Sequence, residues 1–309
     1  MKKLWVEAYR PDTLDGYVFR DEAHKKQIKS WIKDGSIPHL LLSGSPGIGK
    51  TTLAKILLIE LGIEDFDILE VNASRETGID FIRDKIVPFI SMIPFGPFKV
   101  VVLDEADRLS QQAQDSLKGI IEEYSNYARF ILTCNTPSRI LPPLHSRLQH
   151  MHFASIDQTE YTARVATILI TENIQFDLDM LDTYVKAVYP DLRKCINLVQ
   201  QNSVDGILVD PKAEDSGVSD YRIEMVELFK QRKIKEARTL LCSKARPDEM
   251  GSIFQWMYQN IELFGDDEQT KDTALLIIKQ GLVDHSIIID PEINLAAVLV
   301  KLRRNLNDQ

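Results

Sequence analysis

The stretch Leu40–Leu58, LLLSGSPGIGKTTLAKILL, constrains the fold of this chain more than any other part of its sequence. It places a glycine-rich loop between an apolar run typical of a buried strand and a second run with the apolar spacing of a helix. The loop follows the pattern G-x-x-x-x-G-K-[ST] from Gly44 to Thr51, with a further glycine at position 47. A strand, a glycine-rich loop and a helix in this order direct backbone N–H groups at phosphate oxygens. The sequence therefore predicts a nucleotide phosphate site rather than a chance glycine-rich loop.

The residues of this loop each have an expected part in the site. Lys50 is expected to reach the β- and γ-phosphates, and the Thr51 hydroxyl is expected to bind Mg²⁺. The other loop residues predicted to surround the nucleotide are Gly44, Ser45, Pro46, Gly47, Ile48, Gly49 and Thr52. The loop therefore predicts a nucleoside triphosphate and Mg²⁺ as ligands.

A second apolar run, within Lys99–Leu109, ends in two adjacent carboxylates and is typical of a buried parallel strand. Asp104 is expected to hold Mg²⁺ through water, and Glu105 to polarise the attacking water. The pair is also consistent with charges that cap a helix, but a phosphate loop needs such an acidic partner. Ligands of open α/β sheets bind at the carboxyl ends of the strands, where both motifs fall.

A third apolar run, Ala128–Asn135, ends in two polar residues, Thr133 and Asn135. Asn135 is a candidate for orienting the water or for contacting the γ-phosphate. An asparagine at the end of a strand is more often a turn residue, so this motif alone is a weak signal.

The order of these motifs resembles the AAA+ ATPases, and within them the clamp loaders. The segments that carry the resemblance are Trp5–Val18, Leu69–Arg83, Leu141–Leu148 and Pro190–Gln200. The first looks like the amino-terminal box of replication factor C small subunits and their phage counterparts, and the last looks like the sensor-2 helix. The short chain and its divergent details lean toward the large subunit of T-even-like phage clamp loaders.

The resemblance implies roles for residues outside the phosphate loop. The residues that resemble the adenine-covering box are Tyr9, Arg10, Pro11 and Val18. An aromatic ring and a rigid proline suit stacking against a base, although a packed surface segment has the same composition.

Arg147 resembles the arginine finger that one subunit offers in trans to the ATP of its neighbour. A delocalised, permanently charged fork suits the charge of a loose phosphoryl transition state. Leu148 replaces the cysteine that usually follows this arginine. Arg193 resembles the sensor-2 arginine that reaches the γ-phosphate in cis. The alternative for Arg147 is a solvated arginine, and the alternative for Arg193 is a salt bridge on a surface helix. Asn72 resembles the residue that holds the catalytic glutamate inactive until DNA binds.

Four regions are predicted along the chain. They are an α/β nucleotide domain (1–154), a helical lid (155–205), a linker (206–220) and a helical collar (221–309). The fold class is therefore α/β, an AAA+ phosphate-loop NTPase domain with a small helical lid and an all-helical C-terminal collar.

The periodicity beyond residue 155 indicates helices without strands. A helix is expected to begin at Ser155 or Asp157, and the lid helices are predicted at 157–173, 178–188 and 191–202. The linker is rich in Asp, Ser, Gly and Pro. Collar helices are expected from Tyr221 to Leu306, with breaks near Arg246-Pro247, Gly265 and Asp290-Pro291. The collar of clamp loaders holds the ring together, but its apolar stripes also suit an ordinary helical core.

The formal net charge of -9 means that any DNA contact must be local or shared within an assembly. The DNA-contact candidates are Arg75, Arg83, Lys85 and Arg108, each of which taken alone is equally a solvated surface charge. Helices starting near Thr77 and Ser110 would point their N-termini at phosphates. The apolar, proline-containing run Ile86–Phe98 is not a regular long helix. Its part from Met92 to Phe95 is expected to contact the sliding clamp, with core packing as the alternative.

The sequence thus predicts an ATPase subunit of a DNA polymerase sliding-clamp loader. ATP binding would open and hold the clamp, and primer–template DNA would trigger hydrolysis and clamp release. The expected partners are other subunits of a hetero-oligomeric, pentameric ring or spiral, the sliding clamp and primer–template DNA. The alternatives are another AAA+ DNA-remodelling motor and a non-hydrolysing AAA+ scaffold. No membrane-span or signal-peptide pattern is found, so we expect a cytoplasmic protein, in the host cytoplasm if phage-encoded.

Overall fold

A computed structural model of the chain describes residues 3–19, 21–153, 157–209, 221–245 and 250–307. The chain divides into two compact units, Met1–Val165 with Pro190–Asn197 and Ala166–Tyr189 with Leu198–Gln309. The expected helix start at Ser155, the linker from residue 210 onward and the break at Arg246-Pro247 lie outside the described residues. The division at 154, 205 and 220 stays a prediction.

The first unit is built on a five-stranded parallel sheet. In chain order its strands are β1 (Leu40–Gly44), β2 (Ile68–Asn72), β3 (Lys99–Asp104), β4 (Ala128–Cys134) and β5 (Gln149–Phe153). They lie side by side in the order β2-β3-β4-β1-β5, and every pair is parallel. The carboxyl end of β4 therefore lies between the phosphate loop after β1 and the acidic pair at the end of β3. This α/β architecture confirms the fold class expected from the sequence.

Two helices precede β1, and short and long helices connect the strands of this unit. Their bounds are α1 (Trp5–Ala8), α2 (Glu22–Lys33), α3 (Lys50–Glu60), α4 (Ile79–Phe81), α5 (Val87–Ser91), α6 (Gln111–Glu123) and α7 (Pro142–His145). An apolar core joins Phe130 of β4 with Leu117 of α6 and Ile82. Burial of these side chains is the main favourable contribution to folding of the sheet.

Two helix starts near the predicted DNA-contact residues agree with the sequence. The Ser110 hydroxyl accepts a hydrogen bond from the Ala113 amide at 3.2 Å, so α6 begins with a side-chain N-cap. Gly78 precedes α4, whose helical course continues through a π-turn at Ile82–Ile86 into α5. The helix α5 ends at Ser91, and the next residue, Met92, has an extended backbone, as expected for the proline-containing run.

The predicted lid helices are present as α8 (Gln158–Thr171), α9 (Leu178–Val188) and α10 (Leu192–Gln201). The prediction that strands are absent after residue 155 is wrong, because β6 (Ser203–Val204) and β7 (Ile207–Leu208) form an antiparallel hairpin. Asp205 and Gly206 form its turn, both with positive φ. An Asp-Gly pair between apolar residues favours a two-residue hairpin, and this signal was outweighed by the linker-like composition.

The second unit is mostly helical. Its remaining helices are α11 (Tyr221–Lys230), α12 (Ile234–Lys244), α13 (Met250–Gln259), α14 (Glu268–His285) and α15 (Pro291–Asn307). The predicted breaks at Gly265 and Asp290-Pro291 are confirmed. Gly281 lets α14 approach α15 closely, since a Cβ there would lie 2.4 Å from Cγ2 of Val298. None of the helices in the described part of the chain combines the length and apolar character needed to cross a bilayer.

Candidate active site

The phosphate loop is packed tightly on two sides at its glycines. Gly47 has φ +74°, and a Cβ there would lie 1.8 Å from Oδ1 of Asp191. Gly49, which precedes α3, has φ +91°, and its Cβ would lie 3.0 Å from Cε2 of Tyr17. Both positions have a backbone conformation that favours glycine, and neither leaves enough space for a side chain. The loop conformation is therefore fixed by its neighbours as well as by its own sequence.

Lys50 is held at the centre of the loop. Its Nζ donates to the carbonyl oxygens of Gly44 and Ser45, each at 2.8 Å, and to Oδ1 of Asn135 at 2.9 Å. These bonds use all three ammonium donors. Lys50 is 8% exposed, and burial lowers the pKa of its ammonium group. The negative charge of Asp104 partly offsets this effect by raising the pKa. The arrangement keeps a cation beside the backbone amides of the loop, where phosphate oxygens would bind.

Asp104 and two hydroxyl groups form a small oxygen-rich cluster beside Lys50. Asp104 Oδ1 accepts hydrogen bonds from Thr51 Oγ1 at 2.8 Å and from Thr133 Oγ1 at 2.5 Å. A carboxylate and a hydroxyl suit Mg²⁺, which proteins usually bind with few ligands besides phosphate and water oxygens. The described residues contain no cluster of three or more His, Cys, Asp or Glu side chains suited to a metal. A metal here would therefore depend on Thr51, Asp104 and the phosphates.

Glu105 has an unusual backbone conformation next to this cluster. Its φ and ψ are 58° and 42°, in the left-handed region, and its amide donates to Thr133 Oγ1 at 3.2 Å. Residues other than glycine rarely occupy this region, and such strain is concentrated at functional sites. Glu105 lines the same cavity as Lys50 and Thr51. Its position suits a residue that acts on a group bound at the phosphate loop.

One cavity in the first unit brings together most of the predicted nucleotide residues. Those that line it are Tyr9, Arg10, Pro11, Val18, Pro46, Gly47, Ile48, Gly49, Lys50, Thr51, Thr52, Asp104, Glu105, Asn135 and Arg193. Gly44 and Ser45 are not among the lining residues, but their carbonyls bind Lys50. Arg193 joins the cavity from α10, as the sensor-2 resemblance implied.

Sequence reasoning missed several residues of this cavity. Tyr17 precedes the predicted Val18 and packs against Gly49, so proximity in the box was its only signal. Ile196 lies one helical turn after Arg193, and this i, i+3 spacing places both on one face. Arg164 carried no signal in the sequence. Its Nη2 donates to the Tyr9 carbonyl at 2.7 Å, and a contact between residues 155 positions apart leaves no local pattern.

Two predicted residues contact other partners. Arg147 does not line the cavity, and its Nη2 lies 2.5 Å from Oε1 of Glu122. Leu148, which replaces the usual cysteine, is buried in the apolar core of the sheet. The Asn72 side chain is turned toward its own loop, where Oδ1 accepts from the Ser74 amide at 2.9 Å. No bond from Asn72 to Glu105 is seen in the described part of the chain.

Of the predicted DNA-contact residues, Arg83 and Lys85 lie in the π-turn between α4 and α5, Arg75 in the loop after β2 and Arg108 in the turn after β3. Arg75, Arg83, Lys85 and Arg108 are all exposed. Lys85 pairs with Glu76 at 2.5 Å, which partly neutralises it. Arg75 and Lys85 line a second cavity next to Thr51 and Asp104. Their role in DNA binding stays a prediction.

An exposed apolar tip lies at the opposite end of β3 from the acidic pair. It consists of Met92, Ile93, Phe95 and Phe66, which are 57%, 90%, 82% and 77% exposed. Phe66 was not predicted, and its ring centroid lies 5.9 Å from that of Phe95.

A buried ion pair lies beneath the apolar tip. Asp67 accepts from the Gly96 amide at 2.7 Å and from Lys99 Nζ at 3.0 Å. Both side chains are almost fully buried. These bonds hold the loop that carries Ile93 and Phe95, so the apolar tip is presented by an anchored backbone.

Comparison with protein families gives one match within the first unit. Residues 40–156 match the model of the ATPase family associated with various cellular activities (AAA). This range contains the phosphate loop, the acidic pair and Asn135.

Relatives with curated names match over nearly the whole chain. The replication factor C small subunit of Sulfurisphaera tokodaii is 36% identical, over 97% of this chain and 94% of that protein. That of Saccharolobus solfataricus is 35% identical over 97% and 94%. That of Methanococcus maripaludis is 38% identical over 94% and 84%. These relatives are archaeal, and the leaning toward a phage large subunit stays a prediction.

Solved structures show the same fold at lower identity. The Thermotoga maritima RuvB Holliday junction branch migration motor matches with a TM-score of 0.55 and 18% identity, over 74% of this chain and 78% of that chain. At this identity the likeness concerns the fold alone.

Proposed function

We propose that this chain, which belongs to the family of replication factor C small subunits, hydrolyses ATP at sites shared between neighbouring subunits and so drives the loading of a sliding clamp onto primer–template DNA. The family membership confirms the resemblance found in the sequence. The chain is a clamp-loader ATPase of DNA replication. The proposal concerns how its own residues carry out that activity.

The observation that carries the proposal is the hydrogen-bonded network at the ends of three adjacent strands. Lys50 reaches Asn135, while Thr51 and Thr133 share one oxygen of Asp104. Lys50 would neutralise phosphate charge, and Asn135 would orient the attacking water or the γ-phosphate. Glu105, fixed by its strained backbone and its bond to Thr133, would accept a proton from that water.

The bound cofactor would be Mg²⁺, held by Thr51 and Asp104 together with phosphate oxygens. When bound, it would neutralise charge on the phosphates and draw electron density from the bond that breaks. The hydrogen bond from Thr51 Oγ1 to Asp104 Oδ1, at 2.8 Å, keeps these two oxygen ligands adjacent. The residues present therefore fit the metal.

The nucleoside part of ATP would lie against the amino-terminal box. Tyr9, Arg10, Pro11 and Val18 line the cavity next to the phosphate loop. The bond from Arg164 to the Tyr9 carbonyl, at 2.7 Å, fixes the box near the loop. Aromatic and proline surfaces suit stacking with the purine.

Arg147 would act in trans on the ATP of the next subunit. Its position outside the cavity of its own chain supports this role. An arginine supplied to a neighbour's phosphates contributes roughly 10³-fold or more to turnover. Ring assembly would use the collar, which exposes several large apolar side chains on and after α14, among them Leu276, Ile287 and Ile289.

The clamp and DNA would contact different parts of the first unit. The apolar tip, anchored by Asp67, suits insertion into an apolar pocket on the clamp. The exposed arginines near α4 and α6 suit the backbone of duplex DNA, with a few phosphate contacts from each subunit.

The decisive experiment measures ATP turnover by the assembled loader with and without its sliding clamp and primer–template DNA. Turnover should rise when both are added. A mutant whose apolar tip is made polar, Ile93→Ser/Phe95→Ser, should lose the clamp-dependent part and keep the DNA-dependent part. Turnover independent of clamp and DNA would favour another AAA+ motor, and tight ATP binding without turnover would favour a scaffold.

A mixing experiment tests the trans role of Arg147. Subunits with Arg147→Ala keep an intact Lys50 site, and subunits with Lys50→Ala keep an intact Arg147. Mixed oligomers should therefore regain some of the activity that each variant alone lacks. Absence of recovery in oligomers whose mixed composition is verified by mass would refute the shared site.

A further inference from the structure

We propose that Glu122 is a positioning residue that competes with the neighbouring subunit's ATP for Arg147. The inference rests on the proposed trans role of Arg147. Glu122 would hold the arginine on its own subunit when the neighbour carries no γ-phosphate, and would release it when ATP is bound there. The subunit interface would then tighten with ATP and loosen after hydrolysis.

The first observation is that Arg147 is folded back onto its own chain. Its Nη2 lies 2.5 Å from Oε1 of Glu122, on the last turn of α6. Its Nη1 donates to the Pro143 carbonyl at 2.7 Å and, more weakly, to Ser146 Oγ at 3.4 Å. Both terminal nitrogens of the guanidinium are thus engaged within one subunit. A bidentate contact with a phosphate would use at least one of these nitrogens.

The second observation is that this conformation leaves one donor unused. Nε of Arg147 is buried and has no hydrogen-bond partner in the described part of the chain. A buried donor without a partner lowers the net stability of the conformation that contains it. Glu122 therefore holds the side chain in a conformation that is easily given up for a better partner.

The third observation is the solvent exposure of the pair. The side chain of Glu122 is 60% exposed and that of Arg147 is 27% exposed. Exposed ion pairs are weak and are screened by salt. The γ-phosphate of ATP carries more charge than one carboxylate and would displace Glu122, whereas ADP lacks this group. A weak internal partner suits a contact that must open and close in each cycle.

The first test measures access to Arg147 in the isolated chain. Phenylglyoxal modifies free guanidinium groups, and mass spectrometry of the Arg147 peptide gives the rate at that residue. Glu122→Gln should raise this rate about two- to fivefold, the range expected from losing an exposed ion pair. Glu123→Gln, the same change at the neighbouring exposed position, is the matched control and should leave the rate unchanged. Equal rates in the wild type and in Glu122→Gln would overturn the proposal.

The second test measures turnover of the assembled loader. Glu122→Gln should lower KM for ATP about two- to fivefold at low salt without lowering kcat, because Glu122 competes with bound ATP for Arg147 and its loss removes that competition. The difference from wild type should shrink at 0.5 M salt, since screening removes the competition. A fall in kcat would show instead that Glu122 aims Arg147 at the phosphate, and the proposal would be wrong.

A double variant separates this inference from the proposed function. In an Arg147→Ala background, Glu122→Gln should have no effect on turnover. If Arg147→Ala alone leaves turnover unchanged, the trans role fails and this inference fails with it. If Arg147→Ala abolishes turnover while Glu122→Gln behaves as wild type, the trans role stands and only the competition is refuted.

Discussion

Replacing Gly47 by alanine tests how the phosphate loop is held. Gly47 has φ +74°, and a Cβ there would lie 1.8 Å from Oδ1 and 2.4 Å from Cγ of Asp191. Asp191 precedes α10 and caps it, because Oδ1 accepts from the Lys194 amide at 2.9 Å. A methyl group at position 47 must therefore displace a residue that fixes the start of the helix carrying Arg193.

The magnitude follows from two contributions. An alanine in the left-handed region costs about 1–2 kcal/mol. Forcing an extra methyl group into a packed site costs about 1–3 kcal/mol more. Gly62→Ala is the matched control, since Gly62 has φ +63° with no atom within 4 Å of its Cβ position. We expect Gly47→Ala to lower the free energy of unfolding by about 2–5 kcal/mol, and Gly62→Ala by about 1–2 kcal/mol.

The assays are urea denaturation for stability and titration with a fluorescent ATP analogue for affinity. Gly47→Ala should weaken ATP binding at least about tenfold, because a loss of 1.4 kcal/mol at the site already has this effect. Gly62→Ala should bind ATP as the wild type does. The double variant Gly47→Ala/Asp191→Ala should lose less unfolding free energy than the two single variants lose together, by about 1 kcal/mol or more.

Two results would refute this reasoning. Equal losses of stability in Gly47→Ala and Gly62→Ala would show that Asp191 does not restrict position 47. Additive losses in the double variant would show that the two residues are not in contact.

Three other outcomes are expected. Lys50→Ala should abolish ATP binding by equilibrium dialysis, because Nζ is the buried cation of the loop; wild-type affinity would contradict its assignment. Glu105→Gln should keep ATP affinity but lower turnover by about 10²-fold or more in a phosphate-release assay, the scale of losing a positioned base; normal turnover would assign the base elsewhere. The pKa of His39 is lowered from 6.5 to about 4, mainly by burial and further by the charge of Arg129. Nδ1 of its neutral ring accepts a hydrogen bond from the Phe130 amide at 3.2 Å. The stability it contributes is present above pH 6.5 and is lost as pH falls toward 4, so His39→Asn should flatten this decline in urea denaturation at pH 7 and pH 5.

Local patterns determined most of the elements and the centre of the site. The phosphate loop and α3 follow from a few residues whose spacing and hydrogen bonds are local. The lid helices 157–173, 178–188 and 191–202 matched α8, α9 and α10 for the same reason. The hairpin at Asp205-Gly206 was missed because the composition around it favoured a linker, although its turn signal was also local.

Contacts between distant segments were decided by the order of the strands. Lys50 meets Asn135 across 85 residues because β4 lies between β1 and β3 in the sheet. Periodicity identifies each strand but carries no information about which strand is its neighbour. The sharing of Asp104 by Thr51 and Thr133 depends on the same adjacency.

The need for glycine at position 47 and the partner of Arg147 were also decided by tertiary structure. The sequence shows a further glycine in the loop, but Asp191 reaches it only because the chain returns to the first unit at Pro190. The family resemblance implies that Arg147 serves a neighbour, whereas its contact with Glu122 arises because α6 and α7 pack together. Side-chain chemistry is written in the sequence, whereas the partner of each side chain depends on how the whole backbone folds.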